Sequence, residues 1–392
     1  MNKIEKLIEE LCPDGVEYYI VEKICEINRG RVMSKDYLLF NKGEYPVFSS
    51  QTQNNGIIGK IKTFDYEGEY ITWTTDGANA GTVFYREGKF SLTNVCGLLK
   101  VKVDFVNCKF LKHILSITTK KFVVPGSGNP KLMSNVFARI KIPIPPLKVQ
   151  EEIVKILDNF TALEAELEAE LEARKLQYDY YKNQLFVNSN SEKYTSYLFN
   201  DIAKIYDGTH QTPNYKESGV KFVSVENIDS LYESTKFISE SDYKLNFKNI
   251  AKINDLFMTR IGTIGKCKVI DQDIPLAYYV TLALIKPNTE IVKSRYLKYF
   301  IESKSGILEL NKKILFNAVP IKINLGDIGK LNILVPSIKK QDKIIKILDN
   351  FDSIVNDITT GLPAEIKARK QQYEYYRNQL LTFKEYKNPN SK

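Results

Sequence analysis

The feature that most constrains this chain is an internal repeat. QEEIVKILDNF at 150–160 returns as QDKIIKILDNF at 341–351 with 8 of 11 positions identical, and ARKLQYDYYKNQL at 173–185 returns as ARKQQYEYYRNQL at 368–380 with 10 of 13 identical. Whatever unit the first copy builds, the second builds again. Upstream the likeness thins: Ile24, Ile27 and Gly30 answer to Ile202, Ile205 and Gly208, Gly81 to Gly265 and Pro145 to Pro336. The order is globular, helix, globular, helix, and 392 residues leave each globular part enough chain for its own core. The divisions fall at 1–147, 148–186, 187–337 and 338–384, with 385–392 expected as a flexible tail.

The repeated motifs read as helices because Ile153, Leu157, Phe160, Leu167, Leu171, Tyr178, Tyr181 and Leu185 step by fours and threes. Ile344, Leu348, Phe351, Tyr373, Tyr376 and Leu380 form the matching seam of the second copy, with one extra step of four between Ile358 and Arg369. Accordingly the offset between copies grows from 191 at Gln150/Gln341 to 195 at Arg174/Arg369. Such an insertion is a stutter, and its coincidence with Gly361 and Pro363 predicts a kink or break. A helix over 147–185 would run about 58 Å, longer than one compact domain needs. Two long helices with matching seams most simply pack on each other, and a two-fold relation between the halves makes them antiparallel. The fold class is therefore α+β: two mixed α/β globular domains alternating with two long helices paired as an antiparallel coiled coil. Strands are expected at 69–75, 81–87, 96–103, 220–225 and 280–287, and further helices at 107–119 and 293–305.

Composition narrows the function classes. The net charge of +9 favours a polyanionic partner. The first helical segment carries net −4 and the second +3, so the positive excess lies mainly in the globular halves. Five cysteines without C-x-x-C spacing suggest neither a disulfide framework nor a zinc site, and two histidines supply little imidazole chemistry. No run of 18 apolar residues and no signal-peptide succession occurs, so a cytoplasmic protein without a membrane partner is expected. IGTIGKCK at 261–268 reads as a turn, because Cys267 stands where a phosphate loop needs a hydroxyl. Glu365 and Lys367 form an E-x-K, but in a helical, proline-flanked segment rather than on a rigid strand; His113 falls within a helix and reads as structural. GNPK at 128–131 is not the tetrapeptide with which an amine methylase grips its target. The expectation is a chain without catalytic, metal or cofactor sites of its own.

The alternation of two diverged halves with two near-identical helices resembles the specificity subunit of type I restriction-modification systems. The opening LCPDGVEY at 11–18 and the tetrapeptide units TALE, AELE and AELE at 161–172 are similar to that family's segments. The second helix departs from it, with DSIVNDITTGLPAE in place of the units. The resemblance implies that each globular half is a target recognition domain reading one part of a split site in double-stranded DNA, while the helices set the spacing. It also implies two modification subunits, which hold S-adenosylmethionine, and usually restriction subunits that use ATP and Mg. None of these cofactors is expected on this chain. A coiled-coil adaptor that binds protein rather than DNA, and an orphan specificity subunit serving only a methyltransferase, remain open alternatives.

Base discrimination needs side chains capable of bidentate bonds, presented on loops that reach a groove. In the first half the polar, turn-rich stretches 27–35, 49–56, 75–81 and 125–131 supply Arg29, Arg31, Gln53, Asn54, Asn79, Asn129 and Lys131 as candidates. In the second, 206–216 and 259–266 supply His210, Gln211, Asn214, Arg260 and Lys266. Tyr178, Tyr181, Tyr373 and Tyr376 fall on the helical seam, where packing rather than base stacking is expected.

Overall fold

A computed structural model describes residues 3–125, 129–186, 194–357 and 359–386. It divides into two compact units, one formed by 1–166 with 366–392 and the other by 167–365. Each unit holds one globular half, the near part of the helix that follows it, and a helical segment from the other half of the sequence.

In the first unit the sheet has six strands, ordered Cys25–Arg29, Cys96–Val101, Tyr66–Thr74, Val83–Leu92, Lys42–Phe48 and Ile57–Ile61. The first four run antiparallel, and the fifth joins parallel through Val47/Ser91 and Phe48/Leu92. The second unit repeats the antiparallel four as Ala203–Asp207, Leu282–Pro287, Leu256–Ile261 and Thr263–Val269. A separate three-stranded sheet is formed by Phe237–Ile238, Val220–Val223 and Leu276–Tyr278, and Thr195–Leu198 pairs with Asn332–Val335. A short helix enters the first strand in each case, Val21–Ile24 and Phe199–Ile202, and three of the sparse upstream identities lie on this helix, on the strand and at the glycine after it. Gly30 and Gly208 follow that strand, where a Cβ would meet Leu92 O at 2.2 Å or Tyr279 O at 2.4 Å. Only glycine allows so close an approach of two backbones.

Each sheet carries one helix that docks the unit to its long helix, Cys108–Thr118 in the first and Ser294–Ile301 in the second. The expected helix at 293–305 is two, since Ser303 caps a new one at Lys304–Asn311 by accepting from Gly306 N. Two residues identical in both copies of the repeat hold the docking helices. Gln150 is buried, donates to Phe105 O and Pro145 O at 2.8 and 2.7 Å, and accepts from Asn107 N at 2.8 Å. Gln341, also buried, makes the same three bonds with Ile291 O, Pro336 O and Lys293 N at 2.8, 3.0 and 2.9 Å. One turn or two further on, Asp158 accepts from Lys109 and bonds His113 Nε2 at 3.0 Å, while Asp349 pairs with Arg295 and accepts from Tyr299 Oη at 2.6 Å. His113 is thus structural, as its helix suggested.

The first long helix runs unbroken over Leu147–Leu185, including the tetrapeptide units. The second is two helices, Ile338–Asn356 and Leu362–Leu380, so the stutter is a break. The cause is local. Asp357 turns its carboxylate back onto the backbone N–H groups of Thr359 and Thr360, which ends the helix and holds that carboxyl well below the usual carboxylate range. A Cβ on Gly361 would meet Ser353 O at 2.5 Å, and Pro363 lies in the first turn of the next helix, where no N–H is needed. Ile358 lies outside the described residues.

The break partitions the seam. In the first unit Ile153 and Leu157 share a core with Leu380, Phe160 packs on Tyr373 and Tyr376, and Glu164 pairs with Lys370 at 3.3 Å, an antiparallel order. In the second, Leu171, Tyr178 and Leu185 share a core with Ile344, Leu348 and Phe351. Leu167, the first residue of the second unit, is half-buried. Two seam positions are more open than the spacing predicts: Tyr181 is 41% and Tyr376 38% exposed, although each stacks on a phenylalanine of the other copy and meets the preceding tyrosine edge-on. Residues 385 and 386, expected as part of a flexible tail, are held instead: Val16 N donates to Lys384 O, Tyr386 N donates to Val16 O, and Lys141 pairs with Glu385. Residues 387–392 lie outside the described ones. Among the described residues no helix is long and apolar enough to cross a membrane.

Candidate nucleic-acid interface

In the first unit the loops that follow the sheet strands are tied to one another. Asn79 Nδ2 donates to Thr52 Oγ1 at 3.1 Å, which joins 75–81 to 49–56. Gly77 N donates to Pro130 O at 3.0 Å and Lys131 pairs with Asp76 at 3.8 Å, which joins 75–81 to 129–131. Arg29 Nε then donates to Ser134 Oγ at 3.1 Å. Arg29, Gln53, Asn54, Asn79, Asn129 and Lys131 are all exposed on this connected surface. Arg31 is exposed but engaged, paired with Asp65 at 3.0 Å and bonded to Tyr37 Oη at 3.1 Å. Residues 126–128 of the glycine-rich stretch lie outside the described ones.

Beneath Gln53 and Asn54 is a residue the sequence reading missed. Arg86 is buried, lies 3.7 Å over the Phe48 ring, and donates to Thr72 Oγ1 and to Asn55 O. Burial pushes its guanidinium down to about 10, still charged at neutral pH. It holds a turn in which Asn54 and Asn55 have φ of 48° and 50°, a conformation asparagine tolerates better than most residues. Its position in a strand pattern, YREG, gave no signal that it would anchor a loop.

In the second unit the corresponding loops meet at Arg260. This corrects its place among the candidate base readers, for it is 5% exposed, with Nη2 donating to Asp207 Oδ1 at 2.7 Å and Nη1 to Ile323 O at 3.4 Å. The strand that carries it is central, so its side chain is drawn inward to a carboxylate. His210 Nε2 bonds the other oxygen of Asp207 at 2.8 Å, and His210, Gln211 and Asn214 are exposed. Lys266 is exposed and pairs with Asp229. IGTIGKCK is a strand turn, with Gly262 and Gly265 at φ of 82° and 86°.

A family model described as the type I restriction modification DNA specificity domain matches residues 13–173 and again 191–368. The chain belongs to the type I specificity-subunit family. A type I specificity subunit of Mycoplasma pneumoniae is 33% identical over 369 residues, covering 93% of this chain and 97% of that one. The specificity subunit of the MpnII type I restriction enzyme from the same organism is 49% identical over 174 residues, which is 43% of this chain and 52% of that protein. Among solved structures, the S subunit from M. genitalium matches with a TM-score of 0.60 at 16% identity, covering 94% of this chain and 96% of that one. A chain from a study of type I complex assembly and conformational transition matches with a TM-score of 0.62 at 12% identity, covering 94% and 97%. These solved structures share the fold, and the family's duplicated domain is the repeat first seen at Gln150 and Gln341.

Proposed function

We propose that each unit reads one part of a bipartite site in double-stranded DNA, and that the first long helix fixes the gap between the parts. The observation that carries this reading is a contrast within the repeat. The sockets that hold the units, Gln150 with Asp158 and Gln341 with Asp349, bond alike in both copies, whereas the loops leaving the shared strand positions carry largely different candidate side chains. A constant frame presenting two different sets of Arg, Lys, Asn, Gln and His is what two independent readouts require. In this reading the chain orients DNA and catalyses nothing. Adenine methylation with S-adenosylmethionine belongs to two modification subunits docked on it, and ATP- and Mg-dependent cleavage to restriction subunits. The cytoplasm is where such a complex would meet its DNA.

The test is an exchange. Replacing residues 18–143, which include the first sheet and its loops but neither long helix, with the equivalent part of another specificity subunit should change one part of the methylated site and leave the other intact. Loss of both parts together, with assembly preserved, would refute independent reading. Binding by a salt-insensitive protein contact instead of duplex DNA would favour the adaptor alternative.

A further inference from the structure

The first unit's loop 124–131 has a counterpart in the second that lies outside the stretches with polar, turn-rich composition. Val124 and Lys131 exchange both backbone bonds, Leu132 N donates to Thr75 O at 2.9 Å, and Gly77 N donates to Pro130 O at 3.0 Å. In the second unit Leu315 N donates to Lys322 O at 2.8 Å, Ile323 N to Arg260 O at 3.0 Å, and Gly262 N to Ile321 O at 2.9 Å. The two loops therefore leave equivalent strand turns by equivalent bonds. Asn129 and Lys131 stand on the first. The second reads Leu315-Phe316-Asn317-Ala318-Val319-Pro320-Ile321-Lys322.

Its apolar residues face water. Val319 is 99% and Phe316 58% exposed, and Leu315 and Ile321 are exposed beside them. Scattered exposed apolar residues are ordinary, but four within seven positions on one projecting loop form a contact surface. Its setting identifies the contact. Arg260 bonds both Ile323 O at the foot of this loop and Asp207 at the foot of the His210 loop, so the apolar tip and the polar residues His210, Gln211 and Asn214 are fixed to one another. Lys313 precedes the loop and Lys322 closes it, flanking the apolar tip with cations. Apolar side chains reach bases by touching thymine methyl groups or by wedging into a base step, while flanking cations hold phosphates.

We propose that the Leu315–Lys322 loop is a base-contacting element of the second unit, with Phe316 and Val319 entering a groove of the DNA and Lys322 at the backbone. This rests on the DNA reading above and assigns within it residues that carry specificity without hydrogen bonds. The experiment uses the full chain assembled with its modification subunits, on a randomised duplex library read by methylation. Both substituted side chains are exposed, so Phe316→Ala with Val319→Ser should leave the melting temperature and assembly unchanged. Discrimination at one or two positions of the part not altered by exchanging 18–143 should fall about tenfold, the scale of one lost base contact. Phe316→Leu, which keeps an apolar tip, should restore part of it. Unchanged discrimination in the double variant would overturn the proposal. So would lost assembly with base preference intact in the residual complex, which would assign the loop to a protein partner. A complex of the unsubstituted chain with no sequence preference would instead remove the DNA reading itself.

Discussion

Phe160 stacks on Tyr376 with ring centroids 5.5 Å apart and planes 24° from parallel, although the two belong to different copies of the repeat. Phe351 does the same with Tyr181, at 5.6 Å and 27°. The phenylalanine of each LDNF thus packs on the last tyrosine of the other copy's YDYY or YEYY. Within the first copy such a pair is impossible, since Phe160 and Tyr181 lie about 31 Å apart along one unbroken helix.

This exchange predicts a coupling. In a double-mutant cycle, Phe160→Ala and Tyr376→Ala should show an interaction of about 0.5–1.5 kcal/mol in chemical denaturation, and Phe351 with Tyr181 a similar one. Phe160 with Tyr181 should show none. Since both phenylalanines are half-buried, each single Phe→Ala should cost less than the about 3–5 kcal/mol of a fully buried one.

The buried glutamines should be less forgiving than the rings. Gln150→Leu keeps the volume but strands Asn107 N, Phe105 O and Pro145 O, and each unpaired buried group costs about 1–3 kcal/mol. The expected loss exceeds that of Phe160→Ala, and Gln341→Leu should match it. A leucine variant as stable as the parent would show that water enters both sockets.

Acid should weaken the first socket. Burial, aided by neighbouring Lys112, pushes the His113 imidazole down to about 4, against which the Asp158 bond acts only partly. The folded chain holds it neutral while the unfolded chain protonates it near 6.5, so its contribution is intact above pH 6.5 and lost as pH falls toward 4. Relative to His113→Phe, the unsubstituted protein should lose about 1.4 kcal/mol per pH unit across that window. Parallel stability curves for the two would refute the assignment. Tyr299 occupies the corresponding place beside Asp349, so the second socket should not share this dependence.

Insertion of one AELE after Glu172 tests the spacing role. Four residues add about 6 Å of rise and about 40° beyond a full turn. The insertion lies in an unbroken helix outside both sheets, so methylation mapping should show the gap between the two recognised parts lengthened by about one or two base pairs, with both parts unchanged. An unchanged gap would mean that this helix is not the ruler.

The alternation of globular and helical parts, the strands at 69–75 and 96–103, and the break near Gly361 were all legible in the sequence, because each rests on local signals: period, β-branched content, or a glycine and proline that cannot continue a helix. So was the seam, since apolar spacing reports which face of a helix is covered. It could not report by what. That the 366–380 segment packs in the first unit, that Arg260 turns inward to Asp207 while His210 stays outside, and that the apolar loop 315–322 takes the place of a polar one were decided by tertiary structure. Burial of a charge depends on a partner brought from 53 positions away, and an exposed Phe316 reads in sequence like any core residue. Hydrophobicity is a property of the residue, whereas exposure is a property of everything packed around it.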